Sequence, residues 1–318
     1  MTDVAVDFQG VRKEFGDVRA LDGLDLVIRS GETVALLGAN GAGKSTAVNL
    51  MLGILAPDAG EVRVLGESPD RAVARGRIGV MLQDGGLMPG VSVVAMLSLV
   101  TSMYATPRPV EQLVVEADLA HLASRRVDRL SGGQAQRLRF AVAAAGNPDI
   151  LVLDEPTAAM DAESRRAFWA HIRSFAADGR TVIFATHYLR EADDVADRIV
   201  VLADGRSVAD GTPVQLKTIA GARTVRFTLG DEPGAGLDRL PGVTAVEVHG
   251  TTAALRTVDV ERTVRALLAA RERVSDLEVG GAELEDAVIA LSGSSRTTPS
   301  RRSPREGPDA LPTRSDDR

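Results

Sequence analysis

The first two thirds of the chain alternate short apolar runs with amphipathic stretches. Five runs rich in Val, Ile and Leu have the length of a strand, and they cover residues 33–38, 77–82, 149–154, 181–186 and 199–205. Strands that are covered on both faces have unbroken apolar sequences of this kind. The pattern therefore predicts an α/β fold over residues 1–215, with a mostly parallel sheet flanked by helices.

Residues 88–137 interrupt this alternation. In this segment Val114, Val115, Asp118, Leu119 and Leu122 recur at roughly helical spacing. The spacing predicts a helical subdomain that is inserted into the α/β domain.

The pattern changes again after Pro213. Residues 224–229 and 243–248 alternate apolar and polar positions as strands do, and Val260, Val264, Leu267 and Leu268 are spaced to share one helix face. These features predict a small C-terminal α+β accessory domain over residues 220–292. Residues 293–318 are rich in Ser, Pro and charge, and we expect a disordered tail there.

Composition limits the classes of function. The chain has 318 residues, with 37 Lys and Arg against 44 Asp and Glu, so its net charge of −7 does not favour nucleic acid as a partner. It has no Cys, which excludes disulfides and thiolate chemistry. The N-terminal sequence does not resemble a signal peptide. The longest apolar stretch, residues 91–100, is about half of the roughly 20 residues that a membrane-spanning helix needs. We therefore expect that the chain does not enter a bilayer by itself.

A glycine-rich loop, GANGAGKST, follows the first predicted parallel strand and precedes a helical stretch. Such a loop turns successive backbone N–H groups toward phosphate oxygens, and the helix adds the positive end of its dipole. Lys44 is suited to reach the β and γ phosphates of a nucleotide, and the Ser45 hydroxyl is suited to ligate Mg²⁺. The predicted nucleotide-binding residues of this loop are Gly38, Asn40, Gly41, Ala42, Gly43, Lys44, Ser45 and Thr46.

Two acidic residues lie at the C-terminal end of the predicted strand at residues 149–154. Asp154 closes this strand, where an aspartate beside a phosphate loop holds Mg²⁺. Glu155 comes next, and its carboxylate can activate a water molecule as a general base. The pair indicates hydrolysis of the γ-phosphate rather than transfer of that phosphate to another substrate.

A second glycine-rich motif, LSGGQ, begins another predicted helix. Ser131, Gly132, Gly133 and Gln134 would form an anion site of the same physical type as the phosphate loop. By itself such a turn is a weak signal. However, two anion sites with one carboxylate pair do not suit a single nucleotide bound by a single chain.

Taken together, the two loops, the acidic pair, Gln83, Asp161 and His187 resemble the ATP-binding cassette ATPases in order and spacing. The resemblance covers residues 4–212. It implies a P-loop NTPase cassette with N-terminal antiparallel strands, and it implies ATP and Mg²⁺ as cofactors. In this family the LSGGQ loop caps the γ-phosphate of ATP that is held by the opposite subunit, so a head-to-tail homodimer is expected.

The resemblance also assigns individual roles. Gln83 is expected to contact Mg²⁺ and water, Asp161 to lie in the loop that crosses the dimer interface, and His187 to contact the γ-phosphate. Lys44, Glu155 and His187 are the expected catalytic residues. Ser45, Gln83 and Asp154 are the expected metal ligands. Phe15 matches the aromatic that stacks on adenine, although a core position is an equal alternative.

The C-terminal segment, residues 282–293, resembles cassette subunits of bacterial drug and antibiotic exporters of the daunorubicin-resistance type. This implies an ATPase that works with a separate polytopic permease and lies peripherally at the cytoplasmic face of the membrane, with drug or antibiotic efflux as its purpose. Two alternatives remain at this point: a soluble cassette ATPase that acts on nucleic acid or ribosomes, and a nucleotide-gated binding module without useful turnover.

Overall fold

A computed structural model describes residues 3–82, 86–158, 160–220, 223–229, 234–271 and 274–280, together with residues 284, 285 and 288. Within these residues the strands form three sheets. The strands are β1 (Val4–Phe15), β2 (Val18–Arg29), β3 (Thr33–Leu37), β4 (Ala59–Val64), β5 (Ile78–Met81), β6 (Ile150–Asp154), β7 (Thr181–Thr186), β8 (Arg198–Ala203), β9 (Arg206–Gly211), β10 (Arg223–Thr228), β11 (Val243–His249), β12 (Thr252–Thr257) and β13 (Ser275–Gly280). The α-helices are α1 (Lys44–Met51), α2 (Pro69–Ala74), α3 (Val93–Thr101), α4 (Val110–Glu116), α5 (Gly132–Ala144), α6 (Ala162–Ala177), α7 (Leu189–Val195), α8 (Pro213–Ala220) and α9 (Val260–Ala270).

The largest sheet has the strand order β5-β6-β7-β3-β8-β9. All neighbours in it are parallel except β9, which is antiparallel to β8. The sheet contains the five strands predicted from the sequence, and the α/β fold class is confirmed. Because parallel strands end at the same edge of a sheet, the loops after β3, β6 and β7 meet there.

The sheet separates two hydrophobic cores. Alternate residues of β3 point to opposite faces, so that Ala35 and Leu37 belong to one core and Val34 and Leu36 to the other. The second core is closed by the antiparallel sheet of order β2-β1-β4 and by α1. The expected N-terminal antiparallel strands are therefore present.

The segment between β5 and β6 is helical and contributes to the first core through α3, α4 and α5. Of the residues at roughly helical spacing, Val114 and Val115 lie in α4, whereas Leu119 and Leu122 lie beyond its C-terminal end. Helix α4 ends at Glu116, and Asp118 takes a left-handed φ of 51°, which ends regular helical geometry. Val115, within α4, is exposed, while Leu119 and Leu122 are buried, Leu122 in a short 3₁₀ turn.

After α8 the chain forms an antiparallel sheet of order β11-β12-β10-β13, with α9 contributing to its core. Leu267 is fully buried in that core, but Leu268 is 54% exposed, so the placement of Leu268 on the apolar face was wrong. At about 100° per residue, Leu268 is turned roughly 80° away from Val260 around the helix axis. Residues 293–318, predicted as a tail, lie outside the described residues.

The last described residues return to the α/β part of the chain. Leu284 is buried and Val288 partly buried against the first core, to which Leu216 of α8 also belongs. In the part of the chain that the structure describes, no helix has the length and apolar character needed to span a bilayer.

Candidate nucleotide site

The phosphate loop connects the end of β3 to the start of α1 at Lys44. Gly43 takes a φ of 106°, and a Cβ there would lie 2.6 Å from the Ala20 carbonyl oxygen. A Cβ on Gly38 would lie 2.5 Å from the Leu202 carbonyl oxygen. Only glycine fits at these two positions, so the loop can follow its path close to β2 and β8.

Lys44 folds back over this loop. Its ammonium group donates hydrogen bonds to the carbonyl oxygens of Gly38, at 2.7 Å, and of Ala39, at 3.2 Å. Burial lowers the pKa of Lys44, and the nearby carboxylates of Glu155 and Asp154 oppose that shift. The side chain therefore forms a positive centre between the glycine loop and the acidic pair.

Asp154 ends β6 and faces the start of α1. The Ser45 hydroxyl lies 3.4 Å from the Asp154 carboxylate. Among the described residues no cluster of three or more His, Cys, Asp or Glu could hold a metal by itself. A hydroxyl and a carboxylate nevertheless suit Mg²⁺, which keeps several waters and binds phosphate oxygens in addition to one or two protein ligands. Gln83, the third expected ligand, lies outside the described residues.

Glu155 is held in a strained backbone conformation beside His187. Its φ is 48°, which costs a residue other than glycine roughly 1–2 kcal/mol. Its backbone N–H donates to the Ala185 carbonyl oxygen at 2.9 Å, and its Oε1 lies 2.8 Å from His187 Nδ1. Since an ionised carboxylate only accepts, Nδ1 carries the proton of this hydrogen bond.

The second carboxylate oxygen of Glu155 is different. Oε2 is buried and has no hydrogen-bond partner among the described residues. An unsatisfied buried carboxylate oxygen costs free energy, and it is a ready acceptor for the proton of a water molecule. The Glu155 carboxylate thus has one oxygen fixed by His187 and one oxygen without a partner in the described structure.

The LSGGQ motif begins α5. Ser131 is the N-cap, its hydroxyl accepting from the Gln134 N–H while the Gln134 side chain accepts from the Ser131 N–H. This capping box fixes the loop at the positive end of a helix of 13 residues. Ser131 and Gly132 are exposed. Among the described residues no hydrogen bond or ion pair joins this loop to the phosphate loop.

Asp161 lies next to the LSGGQ loop. It caps α6 by accepting from the Ser164 N–H at 2.8 Å, and this hydrogen bond lowers the pKa of Asp161. A Cβ on Gly133 would lie 3.2 Å from the Ser164 hydroxyl, so the two helix starts are in close contact. One exposed surface of the chain thus carries both the LSGGQ loop and Asp161.

Phe15 ends β1 and is 49% exposed, with the Lys13 ammonium 5.7 Å from its ring centroid. This excludes the core alternative for Phe15. Sequence reasoning did not single out Glu191, a buried acid of α7 that contacts the chain segments around Glu155 and His187. Only the three-dimensional arrangement identifies it, since on the sequence it is one of several acids in a polar helix.

A phosphate loop after β3, with an aspartate and a free glutamate oxygen at the same edge of the sheet after β6, defines a P-loop nucleoside triphosphatase. Residues 21–158 match the family described as ABC transporter. The Nod factor export ATP-binding protein I of Paraburkholderia xenovorans is 36% identical over 301 residues, which cover 92% of this chain and 98% of that protein. The chain belongs to the ABC transporter ATP-binding subunits, an ATP-binding and ATP-hydrolysing family.

Further comparisons agree with this assignment. The Nod factor export ATP-binding protein I of Rhizobium sp. (strain N33) is 38% identical over 92% of this chain. Among solved structures, dimeric MJ0796, a bacterial ABC transporter cassette, is 28% identical and superposes with a TM-score of 0.59 over 65% of this chain and 98% of its own. CbiO1 of Clostridium perfringens, part of the transporter complex cbiONQ, is 27% identical with a TM-score of 0.62 over 68% of this chain and 92% of its own.

Proposed function

We propose that this chain is the ATP-hydrolysing subunit of an exporter and that it drives a separate polytopic permease from the cytoplasmic face of the membrane. The observation that carries the hydrolytic part is the free, buried Oε2 of Glu155 beside His187. Export is supported by relatives that match almost the whole chain and are named as export ATP-binding proteins. The soluble ATPase that acts on nucleic acid or ribosomes is not favoured.

In this proposal the N–H groups of the glycine loop and Lys44 bind the phosphates, and Phe15 stacks on adenine. Ser45 and Asp154, with Gln83, would hold Mg²⁺, which neutralises phosphate charge when bound. Glu155 takes a proton from the attacking water through Oε2, and His187 orients this carboxylate and contacts the γ-phosphate.

Two chains would complete two sites. The LSGGQ loop and Asp161 share one exposed surface, without hydrogen bonds to the phosphate loop of their own chain in the described structure. We propose that this surface faces the ATP of a second copy in a head-to-tail dimer. For ATP to drive the change of state, the closed dimer must bind it more tightly than the open one.

The transported compound and the boundaries of the domains are two further parts of the proposed function. We propose that the transported compound is a drug or antibiotic, as in exporters of the daunorubicin-resistance type, although the matched relatives are named for Nod factor export. We also retain residues 1–215, with a helical subdomain at 88–137, as the cassette, residues 220–292 as the accessory domain and residues 293–318 as a tail.

Glu155→Gln tests the hydrolytic role. The amide keeps the shape of the side chain but cannot take a proton from water, so steady-state phosphate release should fall by about 100-fold or more while ATP still binds. Wild-type turnover in this variant would remove the general-base role and would leave a binding module as the better description.

Affinity purification tests the exporter. A tagged chain purified from gently solubilised membranes of its host should retain a stoichiometric polytopic membrane protein, identified by mass spectrometry. Recovery only from the soluble fraction, with nucleic acid or ribosomal proteins attached, would contradict the proposal and support the soluble ATPase.

A further inference from the structure

Glu191 is a buried acid with no role in the chemistry described so far. It lies in the first turn of α7, four residues after His187, and only 4% of it is exposed. Burial raises the pKa of its carboxyl group, while the Thr157 hydroxyl and the Arg165 guanidinium oppose that shift. Burying a carboxylate is costly, so a packing role alone does not explain an acid at this position.

The two oxygens of this carboxylate accept from two different chain segments. The Thr157 hydroxyl donates to Oε1, and the Thr186 hydroxyl donates to Oε2 at 3.4 Å. Thr157 lies two residues after Glu155, and Thr186 directly precedes His187. Thr186 also accepts from the Tyr188 N–H at 3.0 Å, so it is bonded on both sides of His187.

Arg165 adds a third connection, to the loop before Asp161. Its guanidinium lies 3.1 Å from Glu191 Oε1, and another of its nitrogens donates to the Met160 carbonyl oxygen at 3.2 Å. The same guanidinium lies 5.3 Å from the Tyr188 ring centroid, and the Tyr188 and His187 rings are 4.1 Å apart. One carboxylate therefore joins the segments that carry Glu155, His187 and Asp161.

We propose that Glu191 is a positioning residue for ATP hydrolysis, which holds Glu155 and His187 in their reactive arrangement through Thr157 and Thr186. The inference rests on the proposed roles of Glu155 and His187. Only a carboxylate can accept from both threonines and pair with Arg165 at the same time, because a glutamine in its place has a single acceptor oxygen.

The strained backbone of Glu155 explains how Glu191 would affect the position of the Glu155 carboxylate. A residue with a φ of 48° relaxes unless its neighbours hold it. On one side the Glu155 N–H is bonded to Ala185, and on the other side Thr157 is fixed by Glu191. Without the Thr157 hydrogen bond the Glu155 carboxylate would turn away from its bonded position, and misplacement of a catalytic group by about 1 Å can cost about 100-fold in rate.

The experiment compares Thr157→Val, which has the same shape but no hydroxyl, with Thr157→Ser, which keeps the hydroxyl, and with Glu191→Gln. Thr157→Val and Glu191→Gln should lower kcat for ATP hydrolysis by about tenfold or more, with KM and nucleotide affinity within about twofold of wild type. Thr157→Ser should retain most of kcat. The melting temperatures should stay within about 3 °C, which a purely structural role would not allow.

Glu32→Gln is the matched control. Glu32 also pairs with an arginine, Arg198, at 3.3 Å, but it directly precedes β3 and so lies at the opposite edge of the sheet from the site. The Glu32→Gln variant should leave kcat for ATP hydrolysis unchanged. Wild-type kcat in Thr157→Val and Glu191→Gln beside an inactive Glu155→Gln would overturn the positioning role alone. Wild-type kcat in Glu155→Gln would instead overturn the proposed general base. Equal losses in Thr157→Val and Thr157→Ser would also overturn the inference.

Discussion

The exposed carboxylate of Asp128 fixes the chain segment that leads into the LSGGQ loop. Its Oδ1 accepts from the Gly90 N–H at 3.1 Å, and both of its oxygens accept from the Arg126 guanidinium. These bonds, chiefly the one from Arg126, lower the pKa of Asp128 to about 2. Asp128 lies three residues before Ser131, so it connects the loop at Gly90 with the segment that leads into α5.

The lowered pKa of Asp128 predicts a pH dependence of stability. Because the pKa is below its unfolded value of about 3.8, the carboxylate contributes stability above that pH and loses this contribution as the pH falls toward 2. Asp128→Asn should therefore be less stable than wild type at pH 7, and the difference should shrink below about pH 4. Urea denaturation of both proteins from pH 7 to pH 3 would measure it. If the difference in unfolding free energy between the two proteins stayed constant over this range, the charge of Asp128 would make no contribution to stability.

At the scale of elements, the sequence predicted what depends on local patterns. The strands β3, β5, β6, β7 and β8 were recognisable because both of their faces are buried. The phosphate loop was recognisable because its glycines are required by close contacts with β2 and β8. Asp154 and Glu155 were recognisable because they come directly after four buried apolar residues, Ile150–Leu153.

Other elements could not be predicted because tertiary contacts decide them. The periodicity predicted a helical segment but not where its helices end: α4 stops at Glu116, and Leu119 and Leu122 are buried beyond it. Strand β13 has only two apolar residues, Leu277 and Val279, and both are exposed, so its short alternation is a weak signal. Its pairing with β10 is a long-range property.

The same limit applies within the site. Glu155 and His187 were predicted, but the network that holds them joins α6, α7 and the ends of β6 and β7 through Glu191. A buried acid and a solvated acid on a short polar helix look alike in a single sequence. Only the assembled sheet edge makes the two threonines and the arginine converge on one carboxylate.

At the scale of the whole molecule, α7 also faces the chain that leads to the C-terminal sheet. Lys217 of α8 forms an ion pair with Asp193 of α7, and Leu216 of α8 is buried in the first core. Asp193 lies two residues after Glu191. The helix that follows His187 is therefore fixed on one side by the site and on another by α8, which connects the cassette to the strands that follow it.

The head-to-tail dimer can be tested by mixing two defective chains. Lys44→Met removes the charge of the phosphate loop, and Ser131→Arg blocks the LSGGQ loop, so each variant alone should be inactive. In a mixed dimer one site receives both defects, while the other combines the intact phosphate loop of the Ser131→Arg chain with the intact LSGGQ loop of the Lys44→Met chain. Random pairing should restore roughly a quarter of the wild-type ATPase activity.

The size of the recovery separates two arrangements of the same motifs. If the LSGGQ loop served the phosphate loop of its own chain, every site in the mixture would carry one defect, and mixing would restore nothing. Differently tagged variants, purified through both tags, would give the mixed dimer alone, in which one intact site of two is expected. Absence of activity in that purified dimer would contradict composite sites that act independently. Activity there would show that two chains are needed because each supplies only half of a phosphate-binding site.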